Sequence, residues 1–272
     1  MITLGVGCVF AWKSEVATAA VLQVEPRTDG PEVVRHEWTT SPTVASRSYI
    51  DRFGNICRRL TFPPGDLTLH YDADVLVSEE VDVRDFDAPE VAAADLPDDS
   101  LAFTLPSRFC QSDLLADAAW EHFGQLPRGQ ARVQAVCDFV HNHLTFRGDS
   151  STPTTSAVDV YESGEGVCRD FAHLMITFLR ALNIPARYAF GYLPDIGVPP
   201  PHEPMDFCAW TEVFLGDRWY TFDPRNNARR AGRVLIGRGR DAVDVAMVTS
   251  YGGPELVEMS VWAESRVPVV RA

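Results

Sequence analysis

The stretch that decides the fold is Gly166–Leu193, GVCRDFAHLMITFLRALNIPARYAFGYL, joined by a proline-rich loop to Met205–Asn227, MDFCAWTEVFLGDRWYTFDPRNN. In the first half Phe171, Leu174, Met175, Phe178, Leu179 and Leu182 recur at helical spacing, which predicts a helix over Cys168–Leu182. Its near-continuous apolarity predicts burial on most sides. Asn183 and then Pro185 stop it, and Arg187–Leu193 reads as a strand. Phe207–Leu215 and Arg218–Asp223, with Gly216-Asp217 between them, predict a β-hairpin.

This arrangement puts a thiol, Cys168, at a helix start. A second thiol, Cys208, opens one hairpin strand, and a carboxylate, Asp223, ends the other. Unpaired N–H groups and the helix dipole at such a position favour a thiolate, and the same N–H groups can hold an oxyanion. Gly166 and Val167 are the backbone positions expected to line that hole, with Trp210 and His202 as further substrate-binding candidates, and Gly166 permits close backbone approach. Most cysteines that open an apolar helix are structural, so the hairpin residues carry much of the functional argument.

Working outward, residues 1–95 read as β-rich. Ala17–Val24 is rich in small and β-branched residues, Tyr49–Phe62 carries a hairpin-like Gly54-Asn55, Pro63-Pro-Gly-Asp is a turn, and Leu67–Val77 alternates at period 2. These signals predict a small sandwich or barrel, with His36 and His70 as isolated surface or packing residues. The acidic segment DFDAPEVAAADLPDDS, 85–100, marks a crossing to a second domain, 96–272. There a helix is expected over 113–123, capped by Ser112. A second is expected over Gly129–His143, with Cys137 on its apolar stripe and His141 and His143 facing different ways. Ala157–Glu162 reads as a short helical turn, Asp241–Val248 as a helix or strand, and Leu256–Trp262 as a last strand. Arg225, Arg229, Arg230, Arg233, Arg238 and Arg240 form the one basic cluster. It reads as a salt-bridged cover, or as a contact for an anionic substrate or carrier.

The chain has 272 residues, is 46% hydrophobic and carries a formal net charge of -14. That balance argues against unspecific nucleic-acid or membrane binding. The six cysteines lack CxxC spacing, and no run reaches the length of a membrane span. The residues before Cys8 are too few for a signal peptide's apolar core. A cytoplasmic protein with reduced thiols, no metal and no cofactor is expected.

GEGVCRDFAHLMITFLRALNIPARYAFGYL and DFCAWTEVFLGDRWYTFDPRNN resemble the bacterial transglutaminase-like branch of the papain-type thiol enzymes, and the resemblance extends over roughly residues 100–262. It implies an α+β core, a helix packed on an antiparallel sheet, preceded by a β-rich N-terminal domain. It also implies Cys168 as nucleophile, Asp223 as orienting carboxylate, and Trp210 and Trp219 beside the site. The partners implied are an amide, peptide or carrier-bound thioester acyl donor and an amine or water acceptor. One position departs from the family: Cys208 stands where the family has its catalytic histidine. A thiol cannot act as an imidazolium, and general acid–base catalysis is worth about 10²–10⁴-fold. Four readings follow. Cys168 alone takes acyl groups from activated thioesters; His202 swings in from the proline-rich loop, His173 being a poor candidate; the protein is a non-catalytic binding homologue; or the two thiols form a redox or metal site.

Overall fold

The alternation along Leu67–Val77 becomes the strand on which the N-terminal half is built. In the computed structural model, which describes residues 1–199 and 204–266, the leading strands are β1 (Ile2–Ser14), β2 (Thr18–Leu22), β3 (Glu32–Ser41), β4 (Ser46–Ile50), β5 (Ile56–Phe62) and β6 (Gly65–Val77). Along β6 every second side chain, Leu67, Leu69, Tyr71, Ala73, Val75 and Val77, is buried, as half-buried strands require. Gly54 (φ 78°) and Gly65 (φ 96°) supply the left-handed conformation at the two turns the sequence marked. Two antiparallel four-stranded sheets result, one in the order β14 (Glu255–Ser265), β1, β6, β3 and the other β13 (Val248–Ser250), β2, β5, β4. Trp12 and Phe62 meet between them with ring centroids 4.7 Å apart.

The helical half contains α1 (Ala116–Phe123), α2 (Gln130–His143), α3 (Ala157–Ser163) and α4 (Cys168–Ala181), with the two-residue parallel pair β7 (Thr145–Phe146) and β8 (Glu165–Gly166) delivering the chain to α4. Helix α1 begins three residues later than expected. Ser112 makes no side-chain cap; its N–H instead donates to Cys110 O in a turn that precedes the helix. Ser156 does cap α3, its hydroxyl donating to Asp159 Oδ2 at 2.7 Å.

Behind α4 lies the antiparallel sheet β11 (Arg218–Phe222), β10 (Cys208–Leu215), β9 (Ala186–Tyr192), β12 (Val234–Gly239). Every residue of α4 from Asp170 to Arg180 is buried. At about 1.5–3 kcal/mol per buried large apolar side chain, Phe171, Leu174, Met175, Phe178 and Leu179 make α4 the dominant apolar contribution to this half. Arg180, only 2% exposed, has its buried donors satisfied: its guanidinium donates to the carbonyls of Leu105, Ala186 and Arg240 and to the Ser107 hydroxyl. The architecture is α+β, a helix on an antiparallel sheet, with a strand-rich N-terminal region.

The C-terminal strands depart from the division expected at residue 95. β14 pairs antiparallel with β1, from Leu4↔Ser265 to Lys13↔Glu255, and β13 pairs with β2. Residues 241–247 form a turn rather than a regular element, with Asp244 N–H donating to Asp241 O, before β13 begins. No helix among the described residues is long and apolar enough to cross a membrane.

Candidate active site

Cys168 is the first residue of α4 and the one cysteine of the six that is not fully buried. The helix start is built by Asp170, whose Oδ2 accepts the Val167 N–H at 2.9 Å while Arg169 donates to Oδ1 at 3.1 Å. A Cβ on Gly166 would stand 2.8 Å from Asp170 Cβ, so the glycine expected to admit a substrate is required by this cap. The cap also occupies the Val167 N–H. The N–H groups that remain without an acceptor among the described residues are those of Cys168 and Arg169. They, rather than Val167, can meet an oxyanion.

The Cys168 thiol lies against the start of β10, with Phe207 O 3.8 Å from Sγ. Burial pushes its pKa above that of an ordinary thiol; the Ala209 N–H and the Arg225 guanidinium act in the opposite direction, and Asp206 and Asp170 reinforce the rise. Cys208, 5% exposed, is the first residue of β10, and its Sγ is 3.6 Å from Ala209 O. Burial, then the Asp223 carboxylate, then Cys168, push this second thiol well up. Both thiols are therefore held toward the neutral form by their surroundings.

Asp223 follows β11 and is 4% exposed. Its Oδ1 accepts the Asn226 N–H at 3.0 Å, and its Oδ2 accepts both Asn226 Nδ2 and an Arg233 N–H at 2.9 Å. The carboxylate expected to orient a catalytic base is thus tied to a guanidinium and to its own turn. Arg233 also reaches Asp82 at 3.0 Å and stands 4.9 Å from the centre of the Trp210 ring. Trp210, 2% exposed, packs with Ala189 and Leu235, closed to solvent. Trp219 carries the Arg187 guanidinium 3.9 Å over its ring.

His202 lies outside the described residues. His173 is fully buried between Phe109 and Tyr188, at 5.2 and 5.0 Å, and its Nε2 accepts the Ala242 N–H at 3.1 Å. Its partner is therefore the 241–242 turn. His141 bonds through Nδ1 to the carbonyls of Pro224 and Arg225, at 3.2 and 3.0 Å, so that nitrogen carries the proton and pins the turn after Asp223. The basic cluster resolves into pairs: Arg230 with Asp195, Arg233 with Asp82 and Asp223, Arg238 with Glu212, and Arg240 with Asp244. The functions of Arg233, His141 and the Asp223 turn were not foreseen. The Arg-rich run was the trace that Arg233 left in the sequence.

A helix-borne cysteine thus faces a strand that leads by hairpin to a buried aspartate. Residues 122–224 match the transglutaminase-like superfamily. An uncharacterized protein of Mycobacterium tuberculosis is 32% identical over 243 residues, spanning 78% of this chain and 74% of its own. The chain belongs to the transglutaminase-like superfamily. A second uncharacterized relative, from Mycobacterium leprae, is 26% identical over 85% of each chain. The crystal structure of a candidate cysteine protease from Cytophaga hutchinsonii superposes with a TM-score of 0.86 at 29% identity, over 97% of this chain and 90% of that one. The likeness to this solved structure therefore includes the N-terminal sheets as well as the transglutaminase-like core. Membership in this superfamily brings with it cysteine-based acyl transfer or protease-like chemistry as the general class.

Proposed function

We propose that Cys168 accepts acyl groups from activated donors, thioesters in particular, and passes them to an amine or to water. The observation that carries this reading is Cys168 itself: a mostly buried thiol at the first position of a buried helix, beside two N–H groups without acceptors among the described residues. The Cys168 thiolate attacks the thioester carbonyl, and the carbonyl oxygen gains the negative charge that the Cys168 and Arg169 N–H groups can hold. Collapse expels the donor's thiolate, which leaves unprotonated, so no acid is required at the Cys208 position. The proton of Cys168 goes to solvent. Amides and peptides need a protonated leaving amine, and the neutral Cys208 thiol supports that poorly. A cytoplasmic location fits six unpaired thiols.

A second reading, a non-catalytic homologue that binds acyl-bearing partners in the old cleft, is favoured by the Arg233–Asp223 pair, which occupies the carboxylate. Incubation with a small acyl thioester, followed by peptide mass spectrometry, separates the two. The expected result is one acyl group on Cys168, absent from Cys168→Ala and discharged by added amine. An unmodified Cys168 across a panel of thioesters would leave the binding reading standing.

A further inference from the structure

The turn Asp223–Asn227, DPRNN, is fixed by its own hydrogen bonds and carries the partly buried Arg225. Asn227 N–H donates to Asp223 O at 2.7 Å, Asn226 N–H donates to Asp223 Oδ1, and Asn227 takes a φ of 45°. His141 clamps the Arg225 carbonyl from the neighbouring helix. Arg225 thus stands at the corner of a turn fixed on three sides. Its guanidinium lies 3.9 Å over the ring of Phe146. Phe146 pairs with Gly166 in the β7–β8 ladder, and Cys168 follows two residues later. The stacked guanidinium is thereby placed beside the start of α4.

Arg225 differs from the rest of its cluster. Arg230, Arg233, Arg238 and Arg240 each hold a carboxylate, whereas Arg225 has none within ion-pair distance among the described residues. The carboxylates around the site are otherwise bonded: Asp223 by Arg233 and Asn226, and Asp170 by Arg169 and the Val167 N–H; Asp206 accepts the Phe207 N–H at 2.6 Å and feels the Arg225 charge only from beyond ion-pair distance. A guanidinium stacked on an aromatic face keeps its in-plane N–H groups free to grip a carboxylate or phosphate as a fork.

We propose that Arg225 is the anion-recognising residue of the Cys168 site, and that the acyl donor carries a carboxylate or phosphate-like group close to its reacting carbonyl. This rests on the acyl-transfer reading for the word donor, but anion recognition at Cys168 is measurable without any turnover. Iodoacetate and iodoacetamide form the same S–C bond and expel the same iodide, and they differ in charge. The ratio of their rates at Cys168 cancels the thiolate fraction and reports the local field alone.

In the full-length protein this ratio, divided by the ratio for the same cysteine in the urea-unfolded chain, is expected to exceed one by about three- to tenfold at low salt, and to shrink as salt is added. Arg225→Gln should return it to about one, and Arg225→Lys should keep part of it. Arg229→Gln removes one positive charge from the adjoining exposed surface and should leave it unchanged. An equal ratio in wild type and Arg225→Gln, an equal loss in Arg229→Gln, or no reaction of Cys168 with either reagent would each overturn the proposal. Two thioesters then locate the anion. One has an acyl chain ending in a carboxylate on a neutral thiol; the other has a neutral acyl group on a carboxylate-bearing thiol. Preference for the first places the charge on the transferred group, and preference for the second places it on the leaving group. Equal acylation by both and by a neutral thioester would overturn the donor half of the proposal while leaving the acyl-transfer reading intact.

Discussion

At the residue scale the electrostatics beside Cys208 turn on one arginine. Asp223 and Asp82 share Arg233, with side chains only 1% and 11% exposed against its 8%. Breaking a buried pair by removing one partner leaves an uncompensated charge, typically at a cost of about 3–5 kcal/mol. Arg233→Met should therefore lower unfolding free energy by that order at neutral pH, read from urea denaturation. A loss under ~1 kcal/mol would mean that the two carboxylates find water and that Arg233 is not their counter-ion. Cys168, Cys208 and Asp223 were legible from their motifs, because each sits at a helix or hairpin boundary that sequence marks. Arg233 was not. Its partnership depends on β12 lying against β9 with a register shift between Leu235 and Gly237, which nothing local to an arginine-rich run announces.

At the scale of elements, α4 was readable almost residue for residue, since periodic apolar residues, a left-handed Asn183 (φ 64°) and Pro185 define it locally. β1 and β3 were harder to see. β1 is apolar nearly throughout, with two glycines, and β3 is charged and exposed along most of its length, so neither shows a clean period of two. The helix also encloses a titratable group that burial changes. Burial first, with Arg169 and Arg180 adding to it, holds the His173 pKa well below its usual 6.5. Folded His173 stays neutral while the unfolded chain takes up a proton near pH 6.5, so below that pH the unfolded state binds more protons. This contribution to stability is present above about pH 6.5 and is lost as pH falls. The slope is up to ~1.4 kcal/mol per pH unit for one proton. Unfolding free energies measured between pH 7 and pH 5 should show this decline. In His173→Gln the protein should be weaker at pH 7 but markedly flatter over the window, and an equal slope in both proteins would remove His173 as the cause.

At the scale of the whole molecule, the long acidic stretch near residue 95 suggests two bodies, but contacts made far apart in sequence bind the halves. β14 returns from the end of the described chain to lie along β1, and β13 along β2. Phe10 of β1 approaches Phe207, the residue before Cys208, with centroids 6.2 Å apart, and Tyr192 of β9 donates to Val24 O at 2.9 Å. One apolar cluster runs from Leu4 and Phe10 through Phe171 and Phe178. A chain of charges, Arg27, Asp29, Arg238, Glu212 and Arg187, crosses the same boundary. A core shared in this way leaves neither half with a complete apolar interior of its own. Local openings are drawn from regions with few buried contacts, and this boundary is not one of them. Hydrogen exchange followed by peptide across a urea series should therefore give the same opening free energy for β1, β6 and α4, within about 1 kcal/mol, and the same dependence on urea. If β1 and β6 opened well below α4, the N-terminal sheets would be an independent unit and the site would not need them. If they open together, destabilising a strand such as β14 should loosen the start of β10 and with it the position of Phe207 against Cys168.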